Sequence, residues 1–146
     1  MKKGIRYYSY LLVGMSLGQE ILNALNSIRS DIKSYAESRQ YYLIPYDTEP
    51  DLIPRFPALA YFVSAISASP AALNLGGSYE FTATIILYKK LPLSEDSQLD
   101  DEVSDVINYF VAKGYEVSSV GMEDTSAGTS LLRRAEILIK LPKLLK

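Results

Sequence analysis

The sequence predicts an α+β fold: a mixed or antiparallel sheet of about four to five strands with two α-helices packed on it. Three observations carry this. An apolar stripe of helical period follows Ser16, and a second follows the acid-rich stretch before Leu99. Between them, Tyr79 to Leu87 alternates with period two. Helical and strand periodicities in one short chain point to helices laid on one sheet. With 146 residues the chain reads as a single domain, 1–146, large enough to bury a core.

The elements follow in order. Met1 to Gly14 begins with basic residues and continues with the apolar run Tyr7–Val13. A signal peptide would look similar, but the run is short, tyrosine-rich and lacks a small-x-small cleavage site. It also falls well below the roughly 20 apolar residues of a membrane span. Residues 1–14 are therefore expected to form an edge strand or ordered arm; Met15 is an alternative initiation site. Ser16-Leu17-Gly18-Gln19 has the form of a capping box. Leu17, Ile21, Leu22, Leu25, Ile28, Ile32 and Tyr35 then recur at three- and four-residue steps, which predicts a helix over about 16–38.

Pro45, Pro50, Pro54 and Pro57 punctuate the next stretch. Proline supplies no ladder N–H, so only Tyr41–Ile44 reads as a short strand there. Asp47, Glu49 and Asp51 alternate as in a calcium loop, but the required glycine and terminal bidentate glutamate are absent. Phe56–Ser67 is apolar on both faces, as in a strand covered on both sides. Gly76 and Gly77 allow a reversal into the next strand, so the two should pair antiparallel. In that strand Tyr79, Phe81, Ala83, Ile85 and Leu87 face one way; Glu80, Thr82, Thr84 and Lys90 mark a wetter face shared with Ile86 and Tyr88.

Acids from Glu95 to Glu102 open a second helix, Lys113 closes it and Gly114 caps it, the charge order that suits the helix dipole. Leu99, Val103, Val106, Ile107, Phe110 and Val111 form its buried stripe. Tyr115–Met122 and Leu131–Leu141 read as strands joined by a polar loop from Glu123 to Ser130. Arg133 interrupts the apolar face of the last strand near its start, where it can reach water. Pro142 ends the strand and leaves 142–146 as a tail.

Composition bears on function. The chain has twelve tyrosines but no histidine, cysteine or tryptophan. A histidine base, a thiolate nucleophile and a Cys/His zinc site are excluded. Ser126 and Ser130 have no base near them in sequence, and no S-x-x-K element supports a Ser–Lys hydrolase. The Gly76-Gly77 loop lacks both phosphate-binding patterns. No catalytic, cofactor-binding or metal-ligating residue is therefore assigned, and no cofactor is expected. Fifteen basic and seventeen acidic residues nearly cancel, so sequence-specific nucleic-acid binding is not expected either. Tyrosines suit contact surfaces, or simply the core and rim of a small domain.

The succession of elements resembles that of the tail terminator proteins of tailed bacteriophages. The resemblance covers about residues 16–141 within a core of 15–141. Its anchors are Arg55-Phe56-Pro57-Ala58-Leu59-Ala60-Tyr61, Tyr79 to Leu87, and Asp124-Thr125-Ser126-Ala127-Gly128-Thr129 before the closing strand. It implies a non-enzymatic ring, usually a hexamer, that caps the tail tube and stops its polymerisation. Its partners would be the tube protein, the sheath of a contractile tail and a head-completion or neck protein. Its place would be the virion neck, assembled in the host cytoplasm, without a membrane partner. Another neck or tail-completion subunit is the nearest alternative. A small enzyme or ligand-binding domain using carboxylates and tyrosines is the more distant one.

In a head-to-tail ring the loops at 69–78 and 121–130 are candidate contact segments. Leu73 and Leu75 gain little in a loop unless covered, by a partner or by their own core. Glu123 and Asp124 on one copy would face Arg133 and Arg134 on the next; within one copy the same residues can pair across the hairpin instead.

Overall fold

The computed structural model describes residues 2–44, 52–68, 78–92, 100–127 and 130–144. Helices α1 (Lys2–Ser38) and α2 (Asp100–Ala112) accompany strands β1 (Tyr42–Ile44), β2 (Ala58–Ala68), β3 (Ser78–Pro92), β4 (Glu116–Ala127) and β5 (Ser130–Leu144). The strands make one mixed sheet in the order β1-β2-β3-β5-β4. Only β1 and β2 are parallel; the other neighbours are antiparallel. The α+β class and the antiparallel β2–β3 pair are as the sequence predicts.

The N-terminal stretch corrects an expectation. It is not an edge strand but part of α1, whose 37 residues extend over about 55 Å. Ser16 lies inside this helix, so the capping-box pattern marks no boundary. Extending an existing helix costs far less than nucleating one, and residues 2–15 contain no proline to stop it. Both helices end in a Schellman motif. Tyr41 N–H donates to Ala36 O at 2.9 Å and Gln40 N–H to Glu37 O at 3.2 Å, with Gln40 at φ 61°. After α2, Tyr115 N–H donates to Phe110 O and Gly114 N–H to Val111 O, both at 3.0 Å, with Gly114 at φ 93°. Only the second has the glycine that this geometry favours.

Both helices bear on the same face of the sheet. Ile28, Ile32, Tyr35 and Ala36 of α1 join Val106 and Phe110 of α2 over Leu59, Phe81, Ile85, Leu87, Ala135, Ile137 and Ile139. Among the expected stripe residues whose side chains are described, Leu22 and Val111 lie outside this core and are exposed. Leu99 lies outside the described residues.

The other face of the sheet is drier than its sequence suggests. Ile86 and Tyr88 pack with Ile44, Ile53, Ala58, Ala60 and Leu132, while Tyr42 and Phe56 lie against them. Thr82 and Thr84 are also buried. The chain from Leu52 to Pro57 supplies part of this cover, including a cis Phe56–Pro57 peptide. Alternation within β3 could not reveal cover that arrives from elsewhere in the chain.

The closing hairpin is longer than expected. Glu123 and Asp124 are in β4, in register with Arg134 and Arg133, rather than in a loop. Strand β5 continues through Pro142 to Leu144 and leaves a shorter tail. At Pro142 β5 pairs only with β3, since the β4 register begins at Lys140. A free side needs no ladder N–H, so proline is tolerated there. Arg133 does not reach water as expected; it is 7% exposed on the helix-bearing face.

Candidate assembly surfaces

The densest polar cluster joins the two helices. Asp105 of α2 accepts from Arg39 Nε at 2.9 Å and Arg39 Nη2 at 3.1 Å, and Tyr35 Oη donates to its Oδ2 at 2.7 Å. The paired Arg39 hydrogen bonds hold the Asp105 carboxyl below its ordinary range against the opposing effect of burial. Burial, reinforced by the Asp105 hydrogen bond, pushes the Tyr35 phenol well above its own. A matching contact lies further along: Tyr115 Oη donates to Asp31 Oδ2 at 2.8 Å, and Lys113 Nζ stands 3.7 Å from Asp31 Oδ1. Tyr35, Tyr41, Tyr109, Phe110 and Tyr115 stack or meet edge-on around this seam.

A cleft of about 330 Å³ opens beside it, lined by Arg39, Tyr41, Pro57, Lys89, Asp101, Glu102 and Asp105. Its ammonium and guanidinium groups are engaged: Lys89 with Glu102, Arg39 with Asp105. Burial, then the charges of Glu102 and Asp105, push the Tyr41 phenol up to about 12. The arrangement ties α1, α2 and β3 together. No strand-spanning pattern in the sequence signals it, because Tyr35 and Asp105 are far apart along the chain.

The predicted contact residues divide three ways. Leu73 and Leu75 lie outside the described residues. Asp124 and Arg133 are joined within the chain, with Nε–Oδ1 2.8 Å and Nη2–Oδ2 3.1 Å. Glu123 and Arg134 face the opposite side of the sheet. Arg134 Nη1 donates to Glu136 at 3.0 Å and lies 3.9 Å from Glu123, while its guanidinium sits over Tyr88. Glu123 keeps 69% of its side chain exposed.

The sheet itself presents two open edges among the described residues. Strand β1 pairs only with Ala58–Ala60, which leaves Tyr61–Ala68 of β2 without a neighbour on that side. At the other end β4 pairs only with β5. Each edge carries exposed apolar side chains: Ile66 (43%) on β2, and Val120 (42%) and Met122 (47%) on β4. Each also borders a shallow groove. One, of about 330 Å³, lies between Leu25 and Arg29 of α1 and Val63–Ile66. The other, of about 290 Å³, runs along Ser119–Glu123. Sequence reasoning passed over Ile66, Val120 and Met122 because apolar strand residues are ordinarily core residues.

Among the described residues no group of three or more acids is arranged to hold a metal ion, and no helix is long and apolar enough to cross a membrane. Neither a scan of protein-family models nor a search of curated proteins returns a match for this chain.

Proposed function

We propose that this chain is a tail terminator subunit of a tailed bacteriophage. In this reading several copies form a ring, usually six, that sits on the end of the tail tube, arrests its polymerisation and offers a surface to the head-completion or neck protein. The chain acts by contact and not by catalysis, and its place is the neck of the virion. The observation that carries the reading is the element order: helix, short strand, long antiparallel pair, helix and closing hairpin on one sheet. That is the succession on which the resemblance to terminators rests. The open sheet edges are compatible with a subunit that works in an assembly.

The test is polymerisation of the tube protein encoded in the same genome, with and without this chain, followed by electron microscopy. Tubes of arrested length with a ring at one end are expected. Unchanged tube lengths with bare ends would exclude the terminator role. Binding to the neck protein without binding to tubes would identify a neck subunit instead.

A further inference from the structure

Among the described residues two edges of one sheet remain open, and their properties are complementary. Counting across β2, β3, β5 and β4, each strand runs opposite to its neighbour, so β2 and β4 run in opposite directions. An edge β4 placed beside the β2 edge of another copy would therefore continue the antiparallel pattern without a break.

The side chains agree with this. Ile66 pairs in register with Phe81, and Val63 with Ala83, so both lie on the helix-bearing face. Val120 pairs with Ile137 and Met122 with Ala135, on the same face at the opposite edge. A continuous sheet keeps its faces, so joining the edges would bring the two apolar patches together. Charge gives the direction. Strand β4 carries Glu116, Glu123 and Asp124 and no cation. Strand β2 carries no charge at all. Two β4 edges would set carboxylates against carboxylates, which is unfavourable across a strand pair. A β4 edge beside the uncharged β2 edge sets its carboxylates against no like charge.

We propose that β4 of one copy pairs antiparallel with Tyr61–Ala68 of β2 in the next copy, so that subunits join head to tail through one continuous sheet. The inference takes the ring of the proposed function as its setting, since a heterologous contact closes only as a ring. Open edges ordinarily carry features that discourage pairing, such as charge or bulges. Here the register shifts at Ser64 of β2 and Ser118 of β4, which limits the pairable length at each edge and helps to fix the stagger.

The experiment uses two variants of the full chain, each blocked at one edge. Ile66→Lys places an exposed charge on β2, and the double substitution Val120→Lys, Met122→Lys does so on β4. These positions are exposed in the single chain, so the fold should be retained, as checked by circular dichroism. Ile66→Thr and Val120→Thr provide milder variants that keep strand propensity. Native mass spectrometry should show wild-type rings, monomers for either lysine variant alone, and a one-to-one heterodimer when the two are mixed. The mixture restores a single intact β2–β4 contact, which an unfolded or globally damaged chain could not do. Rings that persist in both variants overturn the edge pairing while leaving the ring itself standing. Monomeric variants that fail to form the heterodimer also overturn it. A wild-type chain that stays monomeric at high concentration overturns it too, and the tube-length assay then judges the terminator reading separately.

Discussion

Arg133 reaches across the closing hairpin to Asp124 with two hydrogen bonds, of 2.8 and 3.1 Å, from a guanidinium side chain only 9% exposed. The two residues are directly opposite in the register. The pair fixes the alignment of β4 on β5 at the end of the sheet beyond Met122. It also means that Asp124 is committed to its own chain before any partner arrives.

Asp124→Ala removes two acceptors from a nearly buried guanidinium. The expected loss is about 1–3 kcal/mol, below that of a fully buried pair because Asp124 itself is half exposed. Replacing Arg133 with Met in the same background should recover part of the loss. Urea unfolding of the single and double variants measures both.

The α1–α2 seam should respond unequally to its two donors. Tyr35→Phe deletes a buried hydroxyl that donates to a carboxylate, at an expected cost of about 1.5–3 kcal/mol. Arg39→Ala removes an ion pair whose side chains are more than a third exposed, and should cost about 1 kcal/mol or less. Thermal unfolding should rank the variants in that order.

Alkaline pH should unfold the protein through its buried phenols. Tyr35, Tyr41 and Tyr115 all have pKa values raised in the folded state, with burial as the largest cause. A raised folded value means that stability is fully present below the unfolded value and is lost as pH rises towards the folded one. For Tyr41 that window runs from the unperturbed 10.0 to about 12. Tyr41→Phe should flatten the fall of stability across it by about one proton, on the order of 1.4 kcal/mol per pH unit. Unfolding free energies measured at several pH values should show this; an unchanged slope would contradict it.

Neighbouring residues of α2 should differ sharply. Phe110 is fully buried between the aromatic seam and the sheet, so Phe110→Ala should cost about 3–5 kcal/mol. Val111, the next residue, is 53% exposed, and Val111→Ala should stay within about 0.5 kcal/mol of wild type. Chemical denaturation distinguishes the two directly.

The two helix caps offer a reciprocal test. Gly114 and Gln40 occupy equivalent left-handed positions. Gln40→Gly should stabilise and Gly114→Ala destabilise, each by about 1 kcal/mol. A Cβ at position 114 would meet nothing within 4 Å, so the second effect isolates backbone strain. Shifts of melting temperature in opposite directions are the expected result.

The sequence by itself determined the fold class, the second helix and its Gly114 cap, the antiparallel β2–β3 pair and the apolar faces of β3 and β5. These depend on periodicity and on local turn chemistry, which neighbouring residues carry among themselves. Where α1 begins was not legible: a helix propagates through any stretch that does not break it, so the serine pattern at Ser16 decided nothing. The burial of Ile86 and Tyr88 depended on the chain around Ile53 folding over them. The bond between Tyr35 and Asp105 joins residues 70 positions apart. The same holds for the candidate surfaces. Glu123, Asp124, Arg133 and Arg134 could be picked out as charges near a hairpin, but only register showed that Asp124 faces Arg133 while Glu123 and Arg134 face the other way. The apolar Ile66, Val120 and Met122 look like core residues in sequence. Tertiary structure decided their exposure, because which strands end a sheet is set by the order of the whole sheet and not by any strand alone.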